Sequence, residues 1–340
     1  MISVSELVKI LGPKGAFQLT GRLTRNYPRI LMYHRFSEES QVGHVSSRQL
    51  ETQFRYLKKS FNVVSMDSLI SNQSDPRQKD YRPKVVITVD DGYEDFYSIC
   101  YPLLKKYELP ATFYVTTNFI SGENWLWQDK LKWLIDNSEY IKEDLRIGGV
   151  VFEKSNWCSD KFSAWKALFP YLIRLGINGL EDFFKQFSEL TDQALPKYAP
   201  ELYRSVTWAQ LREMQDNGVT VGGHTADHYS LGHLSDSEVY QQVNSCKSHL
   251  DMMLGDRPRH FCFPNGQPED VSSYAKECVE GAGFISSVLA YYSRAGLSDR
   301  YALSRHGVGD SWLDFQKTVW GIDRLGAIIL NRDSRFSWSV

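Results

Sequence analysis

Lys84-Val85-Val86-Ile87-Thr88-Val89-Asp90-Asp91-Gly92 is the stretch on which the fold turns. Its first six residues are mostly β-branched, and such side chains pack well on a pleated strand. The run stops at two adjacent carboxylates. Gly92 then gives the backbone freedom to turn into a helix. Phe96, Ile99, Cys100, Leu103 and Leu104 predict that helix over Tyr93–Tyr107, with one inward stripe. Pro110 opens a second strand over Ala111–Thr116. Strand, helix, strand at this spacing predicts a right-handed βαβ unit in a parallel sheet.

The pattern continues on both sides. Upstream, Arg29–His34 reads as a strand bounded by Pro28. Ser47 is placed to cap a helix over Gln49–Lys59, with Leu50, Phe54 and Leu57 on one face. Phe61–Met66 reads as a strand, Asp67–Ser71 as a helical turn, and 71–83 as a polar loop. Downstream the alternation breaks. Residues from about 121 to 205 carry tryptophan-rich helical patterns and few strand signals, which predicts a helical insertion. It then resumes: a helix Trp208–Asn217 capped by Thr207, and a strand Gly218–Gly223. Ser235 and Glu238 form a capping box that starts a helix running to about Leu254. Strands at Arg259–Phe263, Phe284–Leu289 and Tyr301–Arg305 follow, with helices at Asp270–Ala282 and Ser311–Gly321. The expected organisation is a helix and connector over 1–27, an α/β body over 28–310, and a helix and tail over 311–340.

Polar clusters recur just after strand ends: His34, Asp90 and Asp91, His224, Asn265 and His306. In parallel α/β folds that edge carries the active site. The decisive partner of the Asp pair is His224-Thr225-Ala226-Asp227-His228. One carboxylate and two imidazoles can hold a divalent metal and leave positions open. Asp91, His224 and His228 are the proposed ligands, with zinc first in mind and cobalt, nickel or iron also suited. Such an ion brings the pKa of water down to about 7 and polarises a carbonyl. Asp90 is then free to act as a base. Gly222-Gly223, just before the histidines, marks a loop where backbone comes close to something. Thr225 is expected to tie that loop down, and Asp227 to orient a ligating imidazole.

Composition excludes other classes. Hydrophobic residues make up 42% and charged residues 24% of 340, ordinary for a globular chain. A net charge of −2 gives no bulk attraction to nucleic acid. Aromatics, at 14%, serve a core or a sugar platform; Trp125, Trp127 and Tyr93 are the candidates for stacking on sugar, with helix packing the plainer role of the tryptophans. Five cysteines without a Cys-x-x-Cys pair fit buried thiols in a reduced compartment. The first 17 residues lack a signal-peptide pattern, and no apolar run reaches the roughly 20 residues of a membrane span. The expected location is cytoplasmic, with a peripheral membrane contact of the first helix left open.

Thr88-Val89-Asp90-Asp91-Gly92 and His224-Thr225-Ala226-Asp227-His228 together resemble the first two motifs of the polysaccharide deacetylase family, carbohydrate esterase family four. Leu31-Met32-Tyr33-His34-Arg35 is similar to a subgroup acting in bacterial surface-polysaccharide pathways. The resemblance spans most of 29–310 apart from the insertion. It implies a distorted (β/α)7 barrel and a metal-dependent hydrolase that takes acetyl groups, N-acetyl of an amino sugar above all, from an acetylated glycan or its precursor. It also implies roles. The residue after Pro264, Asn265, gives its backbone N–H to the oxyanion, and His306 is the general acid. Read from its own place at a strand end, His34 lines the cleft or is a satisfied strand-end histidine, and Tyr93 is a further candidate on the substrate side. Two departures stand out. Cys262-Phe263-Pro264-Asn265-Gly266 lacks the family's arginine that orients the base, which leaves Arg35, Arg257 or Arg305 to supply it in space. Leu303-Ser304-Arg305-His306 has one residue too many before its histidine. A catalytically silent glycan-binding protein of the same fold is the first rival. A non-haem iron oxygenase is the second, because it also uses two histidines and a carboxylate.

Overall fold

The computed structural model describes residues 15–71, 80–147, 150–159, 161–291, 298–309 and 311–322. Of the expected N-terminal helix and connector, residues 1–14 lie outside the described residues, as do most of the expected 71–83 loop and the tail from 323; 15–23 are helical.

Eight parallel strands form one sheet: β1 (Arg29–Tyr33), β2 (Asn62–Val63), β3 (Lys84–Val89), β4 (Ala111–Val115), β5 (Val219–Gly223), β6 (Arg259–Cys262), β7 (Phe284–Val288) and β8 (His306–Gly307). Their order is β7-β6-β5-β4-β3-β1-β8, with β2 also on β3. Val85 of β3 pairs with both Arg29 and Val63, so β2 and β4 share the edge of β3 that β1 leaves free. The sheet curls into a half-barrel surrounded by helices, a distorted (β/α)7 barrel. Segment 303–307 completes the ring: Leu303 bridges Val288 of β7, and His306 pairs with Leu31 of β1. That double duty is why Tyr301–Arg305 is not the strand expected. Leu303 serves β7 and His306 with Gly307 serves β1, so the ladder does not run continuously over 301–305.

Period-two alternation divides the side chains. Leu31, Ile87, Val89, Phe113, Val221 and Phe261 lie beneath the outer helices. Ile30, Val86, Tyr114, Cys262, Val288 and Leu303 form a second cluster inside. Each fully buried aliphatic or aromatic side chain contributes about 1.5–3 kcal/mol. Tyr114 fills the interior so fully that a Cβ on Gly222 would lie 2.6 Å from its ring. This is the close approach expected of Gly222.

The outer helices begin with α1 (Ser47–Ser60), capped by Ser46 rather than Ser47, and α2 (Met66–Ile70), capped by Ser65. Since Ser65 already caps α2, the strand expected over Phe61–Met66 shrinks to two paired residues. The expected helix over Tyr93–Tyr107 starts as a π-turn, Phe96–Cys100, and becomes α3 only over Tyr101–Tyr107. Pro102 is the cause: its ring and missing N–H do not fit the regular ladder, and Tyr101 N–H donates to Phe96 five residues back.

The insertion comprises the short α4 (Thr117–Ile120), α5 (Trp127–Asn137), a hairpin of Leu145–Ile147 with Val150–Phe152, α6 (Lys161–Leu172) and α7 (Gly176–Thr191). It has its own core, with Trp127, Leu131, Leu134, Trp157, Leu168 and Phe187. Trp125 and Trp127 are both buried in packing rather than presented to a ligand. The chain returns through α8 (Trp208–Asp216) and α9 (Asp236–Leu254), each opened by the capping box its sequence carries. The next helix, α10, covers Ser273–Gly281, later than expected. Asp270 instead ends a 3-10 turn, where its carboxylate accepts from Ser230 Oγ and Gln267 N–H. Helix α11 is Trp312–Trp320.

Candidate active site

Three loops meet at the C-terminal ends of β3, β4 and β5. Thr116 N–H donates to Asp91 O, His224 N–H to Val115 O, and Thr117 and Asn118 N–H to Thr225 and Ala226 O. These bonds bring the Asp pair and the histidine motif together, although 133 positions of chain separate Asp91 from His224. The backbone is strained here. Six described non-glycine residues have positive φ, and four are Asp91 (81°), Thr225 (64°), His228 (64°) and Asn265 (57°). The left-handed region costs roughly 1–2 kcal/mol per residue. Such strain clusters where geometry is functional.

Asp91 Oδ1 lies 3.4 Å from His224 Nε2 and 3.2 Å from His228 Nε2. All three side chains are buried. Four-coordinate bonds of about 2.0–2.1 Å put neighbouring ligand atoms about 3.3 Å apart, so the spacing fits one divalent ion. His224 Nδ1 lies 2.7 Å from Cys262 O, which directs Nε2 at Asp91. Thr225 Oγ1 accepts from His228 N–H at 2.9 Å and so pins the turn. Burial would raise the Asp91 carboxyl, yet the two imidazoles hold it well below the usual carboxylate range. Burial would lower His224, but Cys262 and Asp91 keep it well above the ordinary imidazole range. An ion held at this point would take the place of that proton. His228 is pushed down by burial, toward the neutral form a ligand needs.

Asp90 faces Arg305. The guanidinium donates from Nη1 to Oδ1 at 2.7 Å and from Nη2 to Oδ2 at 2.6 Å. Its Nε also donates to Leu289 O, and its Nη1 to Thr88 Oγ1. Burial would raise the Asp90 carboxyl, and this pair brings it below the usual range. Of the three candidate arginines, Arg305 is the one that meets Asp90. Arg35 does not: it pairs with Asp95 at 2.6 Å and lies 3.9 Å over the Tyr93 ring. His34 Nε2 lies 3.7 Å from Asp90 Oδ2, with its side chain 45% exposed.

A cavity of about 190 Å³ joins these groups, lined by His34, Asp90, Asp91, Gln128, Phe169, His224, His228, Phe263, Asn265, Ala290 and Arg305. Three expectations fail against it. His306 is not among the lining residues. It follows the inward Arg305, pairs in register with the outward Leu31, and sets its ring edge-on to Tyr27 at 6.2 Å. Tyr93 is buried, and its hydroxyl donates to Asp129 Oδ2 at 2.7 Å. Asp227 orients no imidazole: its oxygens accept from Asn118, Asn124 and Gln242, which fixes the loop instead. Gln128 and Phe169 were missed. They come from α5 and α6, and no local pattern marks a helical residue as a cleft wall.

A model of the polysaccharide deacetylase family matches residues 77–153 and 163–281, more than half of the chain. A poly-beta-1,6-N-acetyl-D-glucosamine N-deacetylase of Staphylococcus aureus is 32% identical over 89 residues, which is 26% of this chain and 30% of that protein. The chain thus spans about a third of the length of the curated relatives it matches. Among solved structures, the Streptococcus pyogenes deacetylase PplD in complex with acetate superposes with a TM-score of 0.53 at 17% identity, covering 83% of this chain and 92% of that one. IcaB from Ammonifex degensii gives 0.53 at 17%, covering 86% and 96%. At such identities the likeness is one of fold. No helix among the described residues is long and apolar enough to cross a membrane. The profile match falls on the very strands and loops that assemble the Asp and His cluster: the chain belongs to the polysaccharide deacetylase family.

Proposed function

We propose that the chain is a metal-dependent deacetylase that removes the N-acetyl group of an amino sugar in a glycan or its precursor, in a bacterial surface-polysaccharide pathway. The observation that carries this reading is the convergence of His224 and His228 on Asp91 Oδ1, both within 3.4 Å, with Asp90 clamped by Arg305 in the same cavity. Asp91, His224 and His228 hold a divalent ion, zinc before cobalt, nickel or iron. When bound, the ion acidifies water and polarises the acetyl carbonyl.

The rest is the work of the chain. Asp90 accepts the proton of the attacking water. Arg305 keeps that carboxylate ionised and fixes both its oxygens. Asn265, held left-handed at the cavity wall, presents its backbone N–H to the oxyanion. His34 replaces His306 as the group that protonates the leaving amine, because it alone of the two lines the cavity. Thr225 and Asp227 hold the histidine loop. A silent glycan binder has no need for a buried carboxylate with both oxygens paired to arginine beside the ion's ligands. An oxygenase is disfavoured by the all-parallel barrel and the second aspartate.

The test is acetate release from N-acetylated glucosamine and galactosamine glycans by zinc-loaded protein. Release lost in Asp90→Asn, with fold and zinc kept, supports the reading. Acetate at the parent's rate from that variant overturns it.

A further inference from the structure

In the run Trp127-Gln128-Asp129-Lys130 three side chains are fastened to the catalytic loops. Trp127 Nε1 donates to His228 O at 3.1 Å. Asp129 Oδ2 accepts from Tyr93, two residues after Asp91. Lys130 Nζ donates to Asn124 Oδ1, and Asn124 Nδ2 to Asp227 Oδ1 at 3.3 Å. The fourth, Gln128, lines the cavity, and its Oε1 is buried without a hydrogen-bond partner. Across the same cavity the Nδ2 of Asn265 is likewise buried and unpartnered. Leaving a buried polar atom unpaired costs about 1–3 kcal/mol, and two in one cavity call for a ligand that answers both.

Resting on the deacetylase reading, we infer that Gln128 is a specificity-determining residue. It binds a ring hydroxyl of the amino sugar whose acetyl group is at the reaction centre, and Asn265 Nδ2 serves a second oxygen of the same residue. A hydroxyl donates once and accepts twice, so it satisfies an amide oxygen or an amide nitrogen equally well. Phe169 and Phe263 give the same cavity apolar walls for the C–H face of a sugar ring. Phe169 is braced from behind by Trp127, stacked at 5.1 Å, and by Trp165 at 5.2 Å. The three bonded neighbours hold α5 against the site, so the Gln128 amide is set before the sugar arrives. Preorganisation of this kind makes one hydroxyl count in recognition. The insertion's part is therefore to choose the sugar.

The experiment is a cycle between protein and ligand. Zinc-loaded parent and Gln128→Ala are titrated by tryptophan fluorescence with N-acetylglucosamine and N-acetylgalactosamine disaccharides. The same is done with their 3-deoxy, 4-deoxy and 6-deoxy forms, and acetate release is followed in parallel. One deoxy form should be about tenfold worse than its hydroxylated counterpart in the parent and equal to it in the variant. A merely structural change would weaken all ligands together. Equal discrimination in parent and variant, or no binding by the parent, overturns the inference. A cycle that holds without acetate release sinks the deacetylase reading alone. A cycle that fails with release intact sinks the role of Gln128 alone.

Discussion

The two ends of the barrel use the same residue types to opposite ends. At the N-terminal end His260 Nδ1 lies 2.8 Å from Ser286 Oγ, and its Nε2 lies 3.1 Å from Asp67 Oδ1. Asp67 Oδ2 accepts from Thr220 Oγ1 at 2.9 Å. On paper this is a Ser-His-Asp relay. Yet Ser286 and His260 are fully buried, and both ring nitrogens of His260 are occupied. It ties α2 across the base of β5, β6 and β7. At the C-terminal end the imidazoles point at a carboxylate, one carboxylate is clamped by arginine, and Gln128 and Asn265 keep unpartnered atoms beside a cavity. What separates the two clusters is therefore not which residues are present but where they face: a closed hydrogen-bonded network at one end, a cavity at the other.

That contrast can be broken by mutation, and the largest effect belongs to the upper end. Asp90→Asn should lower kcat by about a thousandfold while zinc content and fold hold, since a positioned base contributes roughly 10²–10⁴. Its melting temperature should be lower, because the buried Arg305 loses its counter-charge. Arg305→Lys comes next. It loses the two-point clamp, so kcat should fall about 10- to 100-fold. Asp90 is held below its usual pKa largely by Arg305 against burial. Weakening that pair raises it, so the acidic limb of the pH–rate profile should move to higher pH. An unmoved limb with a normal basic side would mean that Asp90 is not the titrating base.

Asp129, between the two ends in effect, gives a stability test. Burial raises its carboxyl from 3.8 to about 7, and the Tyr93 hydroxyl offsets only part of this. The folded state thus binds a proton more tightly than the unfolded chain. Asp129 costs stability increasingly as pH rises from about 4 to 7, and fully above that. Such a shift corresponds to at most about 4 kcal/mol. Asp129→Asn should therefore be more stable than the parent at pH 8 and no more stable at pH 4, read by denaturant unfolding. The smallest effect belongs to the lower end. Ser286→Ala should cost about 1 kcal/mol and leave kcat/KM of the folded protein within twofold. A large loss of turnover would put the base network into catalysis.

Much of this was legible in the chain. Strand β3 announces itself by its β-branched run, β1, β4, β5, β6 and β7 by short runs with apolar residues between turn signals, and α8 and α9 by capping residues. The ligand candidates were legible because each sits in a short motif at a strand end. The arginine opposite Asp90 was legible only as one of three candidates. Its choice depends on how segment 303–307 closes the ring, and no local pattern encodes that. His306 misled for the same reason: one residue of register turns a side chain from the inside of a strand to the outside. Tyr93 and Asp227 have partners on other elements, Asp129 on the insertion and Asn118 and Gln242 on either side of the histidine loop, which no local pattern reveals. Gln128 was invisible, since an amide on a helix looks like any exposed glutamine until the loops that surround it are assembled.

The most direct measurement is the metal content of purified protein and of its His228→Ala and Asp90→Asn variants, by elemental analysis after dialysis against trace zinc. The expected result is one ion per chain in the parent and in Asp90→Asn, and none in His228→Ala. A parent without stoichiometric metal, or an ion that stays when His228 is removed, would contradict the central claim that Asp91, His224 and His228 share one ion.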